Sequence, residues 1–325
     1  MRIENADPLK LRVGNSITER RLDKYLHGRF SNLTRRFIQD VIRQGEVKVN
    51  GKIAKQSHKL RAGDEITLSL PQPPSKDILP EEIPLDIIYE DDDLIVLNKQ
   101  SDMLVHPARG NTHGTLVNAL AFYSDSLSTG LGEFRPGIVH RLDRNTTGVM
   151  VVTKNDGAQW RIAKQFERRE VKKTYLAIVH GTPELNADRI KAPLGAHPMI
   201  REKYAIRPDI GKEAITFYEV LESFRGFSML KLEPKTGRTH QIRIHLSYIK
   251  HPIVADDMYG GKLVYRWQLA DAEPAVQEPL LSRVALHAFS LEFKHPTTDK
   301  TVQFEAPLPQ DMQRLLDALR KHRKN

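Results

Sequence analysis

The 325-residue chain has no cysteine, so disulfides, thiol catalysis and Cys-ligated zinc are excluded, and a reducing compartment fits. No apolar run approaches the length of a membrane span. Residues 1–13 show neither the apolar core of a signal peptide nor the Arg/Ser-rich pattern of a transit peptide. A glycine-rich nucleotide loop, internal repeats and low-complexity tracts are also missing. These absences lead us to expect a cytoplasmic protein with no membrane partner and no small-molecule cofactor. Negative charge is scarce too: 41 Asp and Glu face 50 Lys and Arg, a net charge of +9. That surplus suits a polyanion, most simply nucleic acid. The length leaves room for two domains, with a proper core in the larger.

The reactive side chains concentrate in Gly137-Ile138-Val139-His140-Arg141-Leu142-Asp143-Arg144-Asn145-Thr146-Thr147-Gly148. The apolar run 149–153 that follows reads as a buried strand, and Ile138-Val139 as a shorter one before it. A polar loop held between strands is where a rigid scaffold presents reactive groups. Asp143 is its only carboxylate. Arg141 and Arg144 stand beside it, which favours the ionised form, available as nucleophile or base. On residue types alone, a turn cap paired to an Arg is the better reading of Asp143.

Residues 1–70 read as one compact domain. Thr18 can cap a helix bearing Leu22, Tyr25 and Leu26, and a second helix spans 33–44. The second turns Phe37, Ile38, Val41 and Ile42 inward and leaves Arg35, Arg36 and Arg43 to solvent. Asn50-Gly51 signals a tight turn, and 60–66 leads into a last strand. The stretch 71–85 is proline-rich and reads as a linker, and 86–325 forms the larger domain. There, 87–89 and 94–97 form a hairpin whose acidic turn, 90–93, reads as a solvated tip. Residues 156–170 suit a helix with Trp160, Ile162, Ala163 and Phe166 as its apolar positions. The strand 173–179 puts Tyr175 and Ala177 on one face; a Tyr there is more often core than catalytic. The segment 192–213 reads as a basic hairpin or surface loop, and 217–221 and 227–232 as strands. His240 and His245 are about 140° apart around a helix, which argues against a shared metal. Residues 310–321 close the chain as an amphipathic helix. Pattern alone yields an α+β class.

Three blocks carry a resemblance. His140-Arg141-Leu142-Asp143-x-x-Thr146-Thr147-Gly148, Lys173-x-Tyr175-x-Ala177-x-Val179-x-Gly181 and 236–246 are similar to the motifs of the RluA family of pseudouridine synthases. Lys99-Gln100-Ser101-Asp102-Met103-Leu104-Val105-His106-Pro107 resembles a further family segment, but Gln100 and Asp102 stand where Pro and Gly are usual; Ala255 likewise replaces a usual Gly. Residues 20–23, 45–51 and 60–64 resemble an αL RNA-binding domain named after a small-subunit ribosomal protein, in which Arg35, Arg36 and Arg43 would meet RNA phosphates. The resemblance implies a bent, mixed, largely antiparallel sheet flanked by helices. It implies conversion of uridine to pseudouridine in RNA, with Asp143 as nucleophile, Tyr175 against the base and Arg243 (Arg238 as the alternative) paired to Asp143. Arg141 would extrude the base, and His140, Thr146, Arg238 and His240 would contact substrate. The accessory domain and Thr147 resemble most the RluC/RluD type, which acts on large-subunit ribosomal RNA. A transfer-RNA enzyme and a non-catalytic RNA-binding assembly factor are the alternatives. A hydrolytic glycosidase needs a second carboxylate across the bond, which the three blocks lack, and a metal-dependent nuclease would be abolished by chelator.

Overall fold

The computed structural model describes residues 8–14, 20–30, 35–69, 78–107, 112–124, 126–130, 135–200, 202–270 and 278–324, the side chain of Arg36 excepted. Thr18, 33–34 and 71–77 therefore lie outside the described residues. The chain divides into two compact units, 1–77 and 78–325.

In the first unit the elements run β1 (Leu9–Arg12), β2 (Arg20–Arg21), α1 (Leu22–Arg29), α2 (Arg35–Arg43), β3 (Val47–Val49), β4 (Lys52–Ile53), β5 (Lys59–Leu60) and β6 (Glu65–Leu68). A sheet ordered β1-β6-β3-β4 packs with both helices around Leu22, Leu26, Ile38, Val41, Ile42 and Ile66. Asn50 and Gly51 both adopt left-handed φ, 52° and 78°, as a two-residue turn matched to strand twist requires.

The second unit continues with β7 (Asp86–Glu90), β8 (Leu94–Lys99), α3 (Leu116–Tyr123), β9 (Thr147–Thr153), α4 (Asp156–Glu167), β10 (Lys172–His180), β11 (Ala187–Lys191), β12 (Leu194–Ala196), β13 (Tyr204–Ile206), β14 (Ile215–Phe224), β15 (Phe227–Pro234), α5 (Gln241–Tyr248), α6 (Arg266–Leu269), β16 (Leu286–Lys294), β17 (Thr301–Glu305) and α7 (Gln310–His322). Eight strands follow the order β11-β14-β15-β10-β16-β9-β8-β7, and β17 also pairs with β16. Among the described residues only the β16–β9 pair is parallel; the sheet is mixed and largely antiparallel, flanked by helices. All seven residues of β9 are buried. At the parallel junction a Cβ on Gly148 would lie 2.1 Å from the Ala288 carbonyl oxygen, so the two backbones meet only because that residue is glycine.

Several expectations need correction. Residues 78–85 belong to the larger unit, because Ile78, Ile83 and Leu85 pack on its core and Asn118 bonds the Leu79 carbonyl. Ile138-Val139 is no strand: Ile138 makes one bridge to Val152, and the neighbouring Val151 N–H goes to the His140 ring instead of a backbone carbonyl. The helix from Asp156 stops at Glu167, and Trp160 points outward, with Lys164 Nζ 4.3 Å from its ring centre. The acidic turn is a joint rather than a solvated tip: Asp91 accepts the N–H groups of Asp93 and Leu94 and bonds Tyr89 and His295. Of the two readings of 192–213, by contrast, the hairpin is the one observed, as β12 pairs antiparallel with β13.

Candidate active site

The loop before β9 is fastened from several sides. Leu142 is buried in the core. The Arg144 carbonyl accepts from Lys99 Nζ (3.1 Å), which also donates to the carbonyls of Gln100 and Met103. The Asn145 carbonyl accepts from Arg283 (3.3 Å), whose guanidinium is held bidentately by Asp311 at 2.7 Å on both arms. Burial pushes the Lys99 pKa down to about 7, against the pull of Asp143 and with a push from Arg283. His140 Nε2 accepts the Val151 N–H (3.1 Å), and the ring stacks on Phe166. Burial and then the charge of Lys173 push its pKa down to about 3, so the ring stays a neutral acceptor. Thr147 Oγ1 lies 2.9 Å from His287 Nδ1. Thr146 Oγ1 is buried without a partner among the described residues.

These restraints present Asp143, part-exposed, to a cleft of about 510 Å³. Its partner is neither sequence neighbour. Arg144 pairs with Asp102, and Arg141 is exposed and unpaired among the described residues. Arg243 on α5 instead places Nη1 3.2 Å from Asp143 Oδ2. Asp256 takes the Arg243 Nε and Nη2 groups at 2.7 and 2.8 Å, so a bidentate clamp aims the remaining nitrogen. Burial opposes the Arg243 charge, but Asp256 and then Asp143 outweigh it and raise its pKa. Of the two candidates it is Arg243, not Arg238, that reaches Asp143; Arg238 lines the cleft, and its Nε donates to the Glu213 carbonyl.

His240 precedes α5 with a left-handed φ of 54°, uncommon for a non-glycine residue although His enters that region more readily than most. Its Nδ1 lies 2.8 Å from the Tyr259 hydroxyl and its Nε2 3.9 Å from Asp143. His245, five residues on, is buried between Thr216 and the Ala192 carbonyl, so the two rings serve different partners. Tyr175 lines the same cleft; burial, then the Asp143 charge, raise its pKa.

The structure thus brings His140, Arg141, Asp143, Thr146, Tyr175, Arg238, His240 and Arg243 to one cleft. Asp256, Tyr259, Lys99 and Arg283 escaped the reading of the sequence as site-builders. Spacing along the chain does not reveal that Asp256 clamps Arg243. Two of the three departures from the family pattern stand where glycine is usual, and there Asp102 and Ala255 each have φ of 59°, a region glycine enters freely. Asp102 tolerates it better than most residues and gains the Arg144 pair.

A family model for RNA pseudouridylate synthase matches residues 93–248, and one for the S4 domain matches residues 20–66. An uncharacterized RNA pseudouridine synthase of Chlorobaculum parvum is 41% identical over 96% of this chain and 98% of its own. Ribosomal large subunit pseudouridine synthase D of Escherichia coli is 38% identical over 92% of this chain and 90% of its own. The chain belongs to the RNA pseudouridine synthase family.

Among solved structures, the synthase is similar to human RNA Pseudouridylate Synthase Domain Containing 1, with a TM-score of 0.54 and 26% identity over 74% of this chain and 96% of that one. The synthase is an isomerase acting on RNA, with an S4 RNA-binding domain ahead of its catalytic fold. No helix among its described residues is long and apolar enough to cross a membrane. In the S4 domain the expected phosphate-facing arginines are differently disposed. Arg35 gives its guanidinium to Asp23 (2.8 Å), a carboxylate with no exposed side-chain surface; Arg43 pairs with Asp40; the Arg36 side chain lies outside the described residues. Burial would raise the Asp23 pKa, but hydrogen bonds from Arg21, Arg35 and Gln39 bring it well below the usual carboxylate range.

Proposed function

We propose that this synthase isomerises uridines of large-subunit ribosomal RNA, with Asp143 as the nucleophile. The observation carrying the proposal is the Asp256–Arg243–Asp143 chain: a clamped guanidinium directs one N–H to a carboxylate otherwise open to a cleft large enough for a nucleotide. The substrate class is supported by relatives named ribosomal large subunit pseudouridine synthase D at 38–39% identity.

The stacked base must be flipped out before its glycosidic bond can be reached, at a cost of about a few kcal/mol. Arg141, exposed and unpaired, fills the vacated place. Asp143 attacks C1′, or assists its ionisation, as the N1–C1′ bond breaks. The uracil turns between Tyr175 and the loop, C5 bonds to C1′ as Asp143 is released from it, the C5 hydrogen leaves as a proton, and N1 takes a proton up. No group is donated and no redox change occurs, so the chemistry calls for no cofactor. Stacking on Tyr175 keeps the loose base from water at little entropic cost. Thr146, with its unsatisfied buried hydroxyl, and His240 contact the nucleotide. His140 shapes the cleft wall, and Arg238 meets the strand at the rim. Residues 1–70, through Arg36 and the exposed parts of Arg35 and Arg43, grip RNA phosphates, and residues 86–325 perform the chemistry in the cytoplasm.

Tritium release from 5-³H-uridine-labelled, unmodified ribosomal and transfer RNA tests this. Wild type should release tritium from large-subunit ribosomal RNA, and Asp143→Ala should not. Release from transfer RNA alone would move the substrate class. Tight binding without release from either RNA would leave only an assembly factor.

A further inference from the structure

The cleft extends past its reacting centre. Beyond Tyr175 the wall is built by Glu167 at the end of α4, Arg169 just after it, Lys173 on β10, and Lys235 and Arg238 after β15. Arg169 has only a 3.8 Å pair with Glu213, and Lys235 a 3.9 Å pair with Glu233, both on half-exposed side chains. Lys173 has no hydrogen bond or ion pair among the described residues, although it is partly buried. Its charge is disfavoured by burial first, then by Arg169 and Lys235, and no carboxylate compensates. Among the described residues Glu167 is the acid on this wall, and it is exposed and makes no ion pair with Lys173. An uncompensated cation in a wall of cations destabilises the free protein and is explained by an anion that binds there.

We propose that Lys173, flanked by Arg169 and Lys235, is a subsite for an RNA backbone phosphate adjoining the flipped nucleotide. The inference rests on the cleft's reading as the uridine site. Lys173 and Tyr175 are two residues apart on one strand and line the same cleft, which spaces them about 6–7 Å. That spacing matches the reach from a nucleobase across its sugar to a phosphate. A lysine suits a point contact to phosphate. The subsite fixes the strand's polarity in the cleft and lets backbone binding hold the flipped base over Asp143.

The test uses the full chain and an unmodified transcript of large-subunit ribosomal RNA, and measures affinity against salt for wild type, Lys173→Gln and Lys173→Arg. Losing one phosphate contact should flatten the plot of log affinity against log salt by about 0.7–0.9. Lys173→Gln should show that loss, raise KM more than it lowers kcat, and melt at or above the wild-type temperature because an unpaired cation is gone. Lys173→Arg should restore the slope. If Lys173→Gln folds poorly, the exposed Lys235→Gln carries the test and should flatten the plot as well. An unchanged slope in the folded variant overturns the proposal, whatever happens to turnover. A wild type that binds RNA without releasing tritium sinks the synthase reading separately, since the slope comparison still reads the phosphate contact.

Discussion

The tripeptide Arg-Leu-Asp occurs in both units, as Arg21-Leu22-Asp23 and Arg141-Leu142-Asp143, with opposite outcomes. In both, the Leu is buried. In the first, the tripeptide enters a helix: Arg21 folds back onto Asp23 at 3.0 Å, Arg35 and Gln39 add their donors, and the carboxylate has no exposed surface. In the second, the tripeptide lies in a loop pinned by Lys99, Arg283 and His140. Arg141 stays unpaired among the described residues, and Asp143 receives one guanidinium N–H from Arg243 and faces a cleft. A saturated carboxylate is a structural joint. One with a single well-aimed donor retains lone pairs for chemistry. The difference lies in who surrounds the aspartate, not in its neighbours along the chain.

The comparison breaks first at the two aspartates. Asp143→Asn should bring tritium release to background while the melting temperature stays near that of wild type. Asp23→Ala should do the reverse, leaving the chemical step on bound RNA intact and lowering stability by about 2 kcal/mol, since charge-assisted hydrogen bonds are lost. Equal losses of activity in the two variants, both folded, would erase the distinction. Next comes the clamp. Asp256→Asn should let Arg243 swing, and a misplacement of that size costs about 10²-fold in kcat, with KM less affected. A kcat within error of wild type would show that Asp143 needs no aimed guanidinium.

Acid should separate the loop from the joint. His140 titrates near 6.5 when unfolded and is held down to about 3 when folded. The unfolded chain therefore binds a proton that the folded chain refuses, so this contribution is complete above about 6.5 and is lost as the pH falls toward 3. Melting temperatures at pH 7, 6 and 5 should fall less steeply in His140→Gln, whose amide oxygen can still accept the Val151 N–H; parallel curves would remove His140 from the acid response. The smallest effect belongs to Ala255, left-handed at φ 59°. Ala255→Gly should add about 1 kcal/mol to stability by relieving its Cβ. A loss would mean the methyl group packs better than the backbone suffers.

Much of the fold was legible because its signals are local. The 149–153 run is long, apolar and β-branched, so its burial follows from composition, and Asn50-Gly51 announces its turn. Where local signals mislead, a tertiary partner is responsible. Trp160 occupies an apolar position in a helical pattern yet faces outward, since Ala158 and Ile162 already fill the core side. Residues 90–93 look like a solvated tip until Asp91 meets His295, 204 positions away.

Residue types in order already point to the groups able to do chemistry here: a lone carboxylate in a polar loop, a Tyr on a strand, and a histidine- and arginine-rich segment downstream. The absence of cysteine narrows the chemistry from the other side. Packing in three dimensions decides that Arg243 and not Arg238, Arg141 or Arg144 faces Asp143, that Asp256 aims it, and that Lys173 stands beside the cleft without a partner among the described residues. Those decisions depend on side chains brought together from 13 to 100 positions apart. Over such spans, hydrogen-bond direction and burial in three dimensions set the partners, and neither leaves a periodic trace in the chain.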